Sequence, residues 1–96
     1  MSDMSVVWDS AKATSNARKH GIRFADAAVA LEDENALTIL DQDSEEFRFK
    51  TLALSPEDNV LLVVHVEEDE DTIRIISARK AEAKEREQYY SGDYHG

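Results

Sequence analysis

The sequence predicts an α+β fold, a four-stranded antiparallel β meander with two helices before it and one after, and room for a short extra strand at the N-terminus. Three observations support this. Apolar residues recur at helical spacing up to residue 31, four β-branched or aromatic runs follow between residues 36 and 78, and the connections between those runs are only four or five residues long. Parallel crossovers need about a dozen residues or more, so such connections permit hairpins alone. A chain of 96 residues supports one core and not two. Residues 1–96 are therefore expected to form a single domain.

Val6, Val7 and Trp8 form a strand-like run that stops at Asp9, whose carboxylate can cap a helix over residues 10–20. Gly21 supplies the left-handed exit. On a helical wheel Trp8, Lys12, Asn16, Lys19 and His20 fall in one sector about 120° wide, a polar and cationic stripe. Phe24, Ala27, Ala28 and Leu31 follow the spacing of a second, shorter helix, which breaks at Glu32, Asp33, Glu34 and Asn35. Strands are expected at 36–41, 47–54, 60–67 and 72–78, each bounded by Asp, Asn, Ser, Glu or Pro. Val60 to Val64 is apolar at both parities, which marks a central strand covered on both faces. From Ala78 onward, alanines mixed with Arg79, Lys80, Glu82, Lys84, Glu85, Arg86 and Glu87 predict a third helix to Tyr90, lightly docked, with residues 91–96 a frayed tail.

Composition excludes several function classes. Without cysteine there are no disulfides, thiolate zinc sites or thiol nucleophiles. No stretch approaches the roughly 18 apolar residues of a membrane span, and the start lacks a basic and apolar leader, so a cytoplasmic chain with no membrane partner is expected. Twenty-one acidic residues against 11 Lys and Arg give a net charge of -10, which as a whole repels phosphate backbones. The charge is segregated, however. No Lys or Arg occurs in residues 25–47 or 55–73, while Lys12, Arg18, Lys19 and Arg23 gather early and Arg74, Arg79, Lys80, Lys84 and Arg86 late, with Arg48 and Lys50 on the second strand. If the two groups meet at one end of the sheet they form a local positive cleft, because potentials are screened beyond about 8–10 Å.

Two histidines invite a chemical reading. His20 either complements the negative end of the first helix or serves as a proton-transfer group beside Lys12. His65 and Glu67 project from one strand face, either as a His–carboxylate proton shuttle or as an edge pair reaching Arg48 on a neighbouring strand. Asp41, Asp43 and Glu45 imitate the start of a calcium loop, yet Glu46 and Leu52 stand where a glycine and a bidentate Glu are required. No metal and no cofactor are expected. There is no Walker loop, dinucleotide fingerprint, nucleophile elbow or aromatic RNA platform.

The run Trp8-Asp9-Ser10-Ala11-Lys12-Ala13, then Asn16-Ala17-Arg18-Lys19-His20-Gly21-Ile22 and Phe24, resembles the opening of the BrnT family, toxins of type II toxin–antitoxin systems. The end of the chain is similar to it too, in Val63-Val64-His65 with Glu67, in Ile73-Arg74-Ile75-Ile76-Ser77-Ala78-Arg79-Lys80-Ala81, and in Glu87 with Tyr89. Ala36-Leu37-Thr38 and Arg48-Phe49 fit the middle. The resemblance spans roughly residues 7–90 and implies a RelE-like ribonuclease fold. It implies a metal-independent endoribonuclease that inhibits translation and growth, an RNA substrate, and a BrnA-type DNA-binding antitoxin through which alone operator DNA is touched. On that expectation Arg48 and Arg79 hold the phosphate, Glu67 or His65 is the base, and Lys19 or His20 protonates the leaving oxygen. Lys12, Lys50, Arg74 and Lys80 line the RNA. One departure stands out: Glu67 is followed by Glu68, an acid in place of the arginine of the family's pattern. The alternative is a catalytically weakened relative that acts as a protein-binding module, its acidic surface meeting a basic partner.

Overall fold

The structure, a computed structural model, describes residues 4–96. The elements run β1 (Ser5–Val7), α1 (Ser10–His20), α2 (Phe24–Ala30), β2 (Leu37–Asp41), β3 (Arg48–Leu54), β4 (Val60–Asp69), β5 (Thr72–Lys80) and α3 (Ala83–Ser91). One sheet has the order β1-β5-β4-β3-β2. Its last four strands form the expected antiparallel meander, and β1 adds at the far edge, parallel to β5.

Local signals in the sequence fix the first helix at both ends. Asp9 accepts a hydrogen bond from the Ala11 amide at 2.8 Å, and Gly21 leaves the helix at φ 72°, its N–H closing onto the Ala17 carbonyl. Left-handed backbone at that position favours glycine because a Cβ would be strained there. Trp8 then sits edge-on to Phe24, ring centroids 6.2 Å apart, across the junction of α1 and α2.

The sheet is covered on both faces, and the alternation of side chains decides which residue goes where. On one face Ala53, Leu61, Val63, Ile75 and Ala78 join Ile22, Phe24, Ala27 and Ala30 in a core beneath α1 and α2. On the other, Leu52, Val60 and Leu62 pack with Ala81 and Tyr89 under α3. Burying a side chain such as Leu52 or Leu61 contributes about 1.5–3 kcal/mol, and both are fully buried. Val60 to Val63 are indeed buried at both parities.

Two expectations are corrected. The third helix does not begin at Ala78: β5 continues to Lys80, with Arg79 paired to Leu62 and Lys80 to Leu61. Helix-favouring residues are held extended there because β4 offers a full ladder, closed by the Ala81 amide on the Val60 carbonyl at 2.9 Å. The helix starts only after Glu82, which forms a capping box with Glu85. Nor is the tail splayed into solvent: Ser91 completes α3, the His95 amide donates to the Gln88 side chain at 3.0 Å, and Tyr94 packs against the Leu52 cluster. Tyr89 anchors α3 from the other side, donating its hydroxyl to Asp33, which also accepts from the Leu54 amide. No described helix is long and apolar enough to cross a membrane.

Candidate functional site

Helix α3 covers only part of its face of the sheet; Arg48, Lys50 and Arg74 lie beyond it and Arg79 at its edge. Directly paired residues share a face. Asp41 faces Arg48, Ile39 faces Lys50 and Leu37 faces Leu52, so Arg48 and Lys50 project on the side of the Leu52 core. Arg79 lies opposite Leu62 and Arg74 opposite Val66, on that same side. Arg74 and Arg79 are five residues apart, a spacing that in a regular strand sends them to opposite faces. The irregularity in β5 opposite Val64 and His65, where Ser77 pairs with Val64 but Ile75 with His65, adds one residue and brings both arginines to one side. With strands about 4.8 Å apart, Arg48 and Arg74 stand about 10 Å apart across the sheet, with Lys50 and Arg79 further along the same surface.

Each of these arginines is held by a carboxylate. Arg48 pairs with Glu46 at 3.0 Å and Arg74 with Glu68 at 2.6 Å, both at half-exposed positions where such pairs add little stability. The Arg79 pair is different in kind. Its two terminal nitrogens meet the two oxygens of Glu85 at 2.9 Å each, and a further bond reaches the Lys80 carbonyl. Glu85 also accepts from the Glu82 amide as part of the helix cap, so one carboxylate joins the start of α3 to the end of β5. Burial pushes the Glu85 carboxyl upward, but the Arg79 hydrogen bonds, the Glu82 amide and the nearby charges of Arg79 and Lys50 outweigh it, and the net shift is downward. The Arg79 guanidinium is raised in turn, chiefly by its bond to Glu85. Tyr94 stands beside this pair: burial, with the charge of Glu85, pushes its phenol up to about 12.

The remaining residues singled out in the sequence lie elsewhere. His65 pairs with Phe49 and Ile75, and Glu67 with Ile73, which puts both on the α1 and α2 side of the sheet, across from Arg48 and Arg79. Arg48 therefore does not neighbour His65; Phe49 does, stacked on the imidazole at 5.9 Å between centroids. His65 is buried, 6% exposed. Its Nε2 bonds the Thr51 hydroxyl at 2.8 Å, Thr51 in turn meets Thr38 at 2.7 Å, and Nδ1 has no partner. Burial lowers its pKa to about 4. Glu67 is exposed. Lys12, Lys19 and His20 belong to α1 and Lys80 faces Leu61 of the helix-side core. The stripe on α1 is centred on Asn16, which is buried and turned inward, accepting from the Ala78 amide and donating to the carbonyls of Ala78 and Ile22. Among the described residues no group of three or more His, Asp or Glu side chains is arranged to hold a metal.

The sheet, its helical cover and the terminal signatures belong together in the comparison with known families. The family of ribonuclease toxins, BrnT, of type II toxin–antitoxin systems matches the chain over residues 8–85. The chain belongs to the BrnT family. Its fold is similar to that of the crystal structure of the Brucella abortus ribonuclease toxin, BrnT, with a TM-score of 0.67 at 23% identity, over 82% of this chain and 97% of that one. A comparison with curated proteins gives no match. The BrnT match ends at residue 85, so it takes in Arg48, Lys50, Arg74, Arg79 and Glu85 and stops short of Tyr94.

Sequence reasoning missed Glu85, Asn16 and Tyr94. The Glu82-x-x-Glu85 spacing is a legible helix-start signal, but its use as the anchor of Arg79 depends on where β5 ends. Asn16 reads as one more polar residue of a cationic stripe. Tyr94 sits in a polar tail whose only apolar handle is that ring.

Proposed function

We propose that this BrnT-family chain is a metal-independent endoribonuclease that cleaves RNA on the open sheet face, inhibits translation and growth, and is neutralised by a BrnA-type DNA-binding antitoxin. The single observation that supports this most is the gathering of Arg48, Lys50, Arg74 and Arg79 on one partly covered face of a molecule with a net charge of -10. The same face carries Asp41 and the paired Glu46, Glu68 and Glu85, so a polyanion is attracted there as its phosphate oxygens replace Glu46 and Glu68 on Arg48 and Arg74.

In this reading Arg79 binds the scissile phosphate and the ionised Glu85 beside it is the base. Glu85 takes the proton of the ribose 2′-hydroxyl, the 2′-oxygen attacks phosphorus, and the negative charge that develops on the equatorial oxygens is met by the Arg79 guanidinium. Lys50 gives a proton to the departing 5′-oxygen. The products are a 2′,3′-cyclic phosphate and a 5′-hydroxyl. Arg48 and Arg74 bind the neighbouring phosphates, exchanging Glu46 and Glu68 for them. Lys12, Lys19 and His20 take no part in this phosphate site, because α1 is packed on the opposite face, and neither does Lys80, which projects from β5 to that same opposite side. His65 is neutral, buried and turned away, which suits a packing role, and Glu67 shares its side of the sheet.

The antitoxin supplies all contact with operator DNA in this account, since the toxin is strongly acidic overall. A second reading is favoured by one specific observation: all three arginines of the face are already paired with the chain's own acids. It makes the chain a weakened relative that binds a basic protein. Expression from a tight promoter, with and without the neighbouring open reading frame, separates the two. Growth arrest relieved by the neighbour is the expected result, and normal growth together with capture of the neighbour's product supports the binding module.

A further inference from the structure

Beside the Arg79–Glu85 pair the C-terminal tail crosses the sheet and leaves a groove of about 570 Å³. It is lined on the sheet by Ile39 and Lys50, in the β2–β3 turn by Gln42 and Asp43, and on the tail by Tyr94 and His95. Ile39 and Lys50 face each other across β2 and β3 on the cationic surface, so the groove opens directly off the proposed path of the RNA. The tail residues lie beyond the family match at 8–85, and the volume is within the range of pockets that hold one small ligand.

We propose that this groove is a nucleobase subsite with a preference for guanine; the assignment rests on the RNA-cleaving reading above. Four features converge on that ligand. The Lys50 ammonium, which makes no side-chain hydrogen bond with the described residues, supplies a cation for the nucleotide's phosphate. Tyr94 brings an aromatic ring and Ile39 an aliphatic surface to the groove, the two kinds of wall on which a flat base rests. The Asp43 carboxylate is exposed and makes no hydrogen bond or ion pair with the described residues, although its amide is tied to Asp41 at 3.1 Å. It is thus an unspent pair of acceptors on a turn held in place. The Watson–Crick edge of guanine presents two adjacent donors, N1–H and the exocyclic N2 amine, which match the two oxygens of one carboxylate. Adenine, cytosine and uracil each set an acceptor beside the one donor group of that edge, so none offers the two adjacent donors that a single carboxylate takes.

Titration of the isotope-labelled full chain with guanosine 5′-monophosphate and, separately, adenosine 5′-monophosphate tests this directly. The guanine nucleotide is expected to shift the amides of Gln42, Asp43, His95 and Gly96 and to bind about tenfold more tightly than the adenine nucleotide, the scale of one bidentate base contact. In Asp43→Asn the two affinities are expected to converge. Shifts confined to other parts of the chain, equal affinities in the wild type, or an unchanged preference in Asp43→Asn would each overturn the assignment. RNA cleavage by the same two proteins keeps it apart from the reading beneath it. If the wild type cuts RNA and Asp43→Asn cuts with the same base preference, only the guanine subsite falls. If guanosine monophosphate fills the groove and neither protein cuts RNA, the subsite stands and the nuclease reading falls.

Discussion

At the scale of single residues, His65 is informative because its imidazole is conspicuous in the sequence and its surroundings are not. Packed on Phe49 and bonded only to Thr51, it has exchanged water for ring and methyl surfaces, and a charged imidazole is disfavoured there. Burial brings its pKa from the ordinary 6.5 down to about 4. The unfolded chain therefore binds a proton on this residue between those values while the folded chain does not. Stability contributed by the neutral ring is complete above about pH 6.5 and is lost as pH falls towards 4. Urea unfolding of the wild type and of His65→Gln across this window is expected to show the steeper acid loss in the wild type. Parallel pH dependences would mean that the ring is solvated in the folded state. That exchange of roles was illegible beforehand, since two-residue spacing gives His65 and Glu67 a common face without saying whether the face is open or covered.

Among elements, the joints between them matter more than their interiors. Asn16 ties α1 to β5 through both the amide and the carbonyl of Ala78, and to the turn at Ile22. Removing it leaves a buried strand amide with no partner, at a cost of about 1–3 kcal/mol, a sizeable share of the 5–15 kcal/mol typical of a domain. Asn16→Ala is thus expected to lower the urea midpoint markedly with an unchanged slope, as measured by far-UV circular dichroism. A midpoint equal to that of the wild type would show that the joint is dispensable. The elements themselves were mostly legible: the Asp9 cap, Gly21, the four β-branched runs and their short turns all acted locally. The end of β5 was not, because Arg79, Lys80 and Ala81 favour helix on their own and are drawn into the sheet by Leu61 and Leu62, residues distant in sequence. The same limit hid the added residue near Ile76. Without it, Arg74 and Arg79 fall on opposite faces, and no parity argument could have assembled the cationic surface.

For the whole molecule, the proposed activity requires a chain with a net charge of -10 to bind a polyanion. The sequence segregates charge by segment, and the fold sets acids beside the cations again, with Asp41, Glu46, Glu68 and Glu85 next to the arginines of β3 and β5. Most acids lie in residues 26–46 and 57–71, while Arg48, Lys50, Arg74 and Arg79 share the surface that α3 covers only in part. Of the early and late cations, Arg23 and Lys80 line one pocket on the α1 and α2 side, while Lys12 and Lys19 on α1 lie across the sheet from Arg48 and Arg79. Two strands supply the cations of the proposed RNA face, and Glu85 holds Arg79, the guanidinium proposed to bind the scissile phosphate. The most direct measurement is cleavage of an unstructured RNA, in chelator, by the wild type, Arg79→Ala and Arg79→Lys, each shown by circular dichroism to be folded. The account predicts cutting by the wild type, a loss of about 10²–10³-fold in Arg79→Ala, and poor rescue by lysine, which lacks the planar two-pronged fork. Cutting at the wild-type rate by folded Arg79→Ala would contradict it.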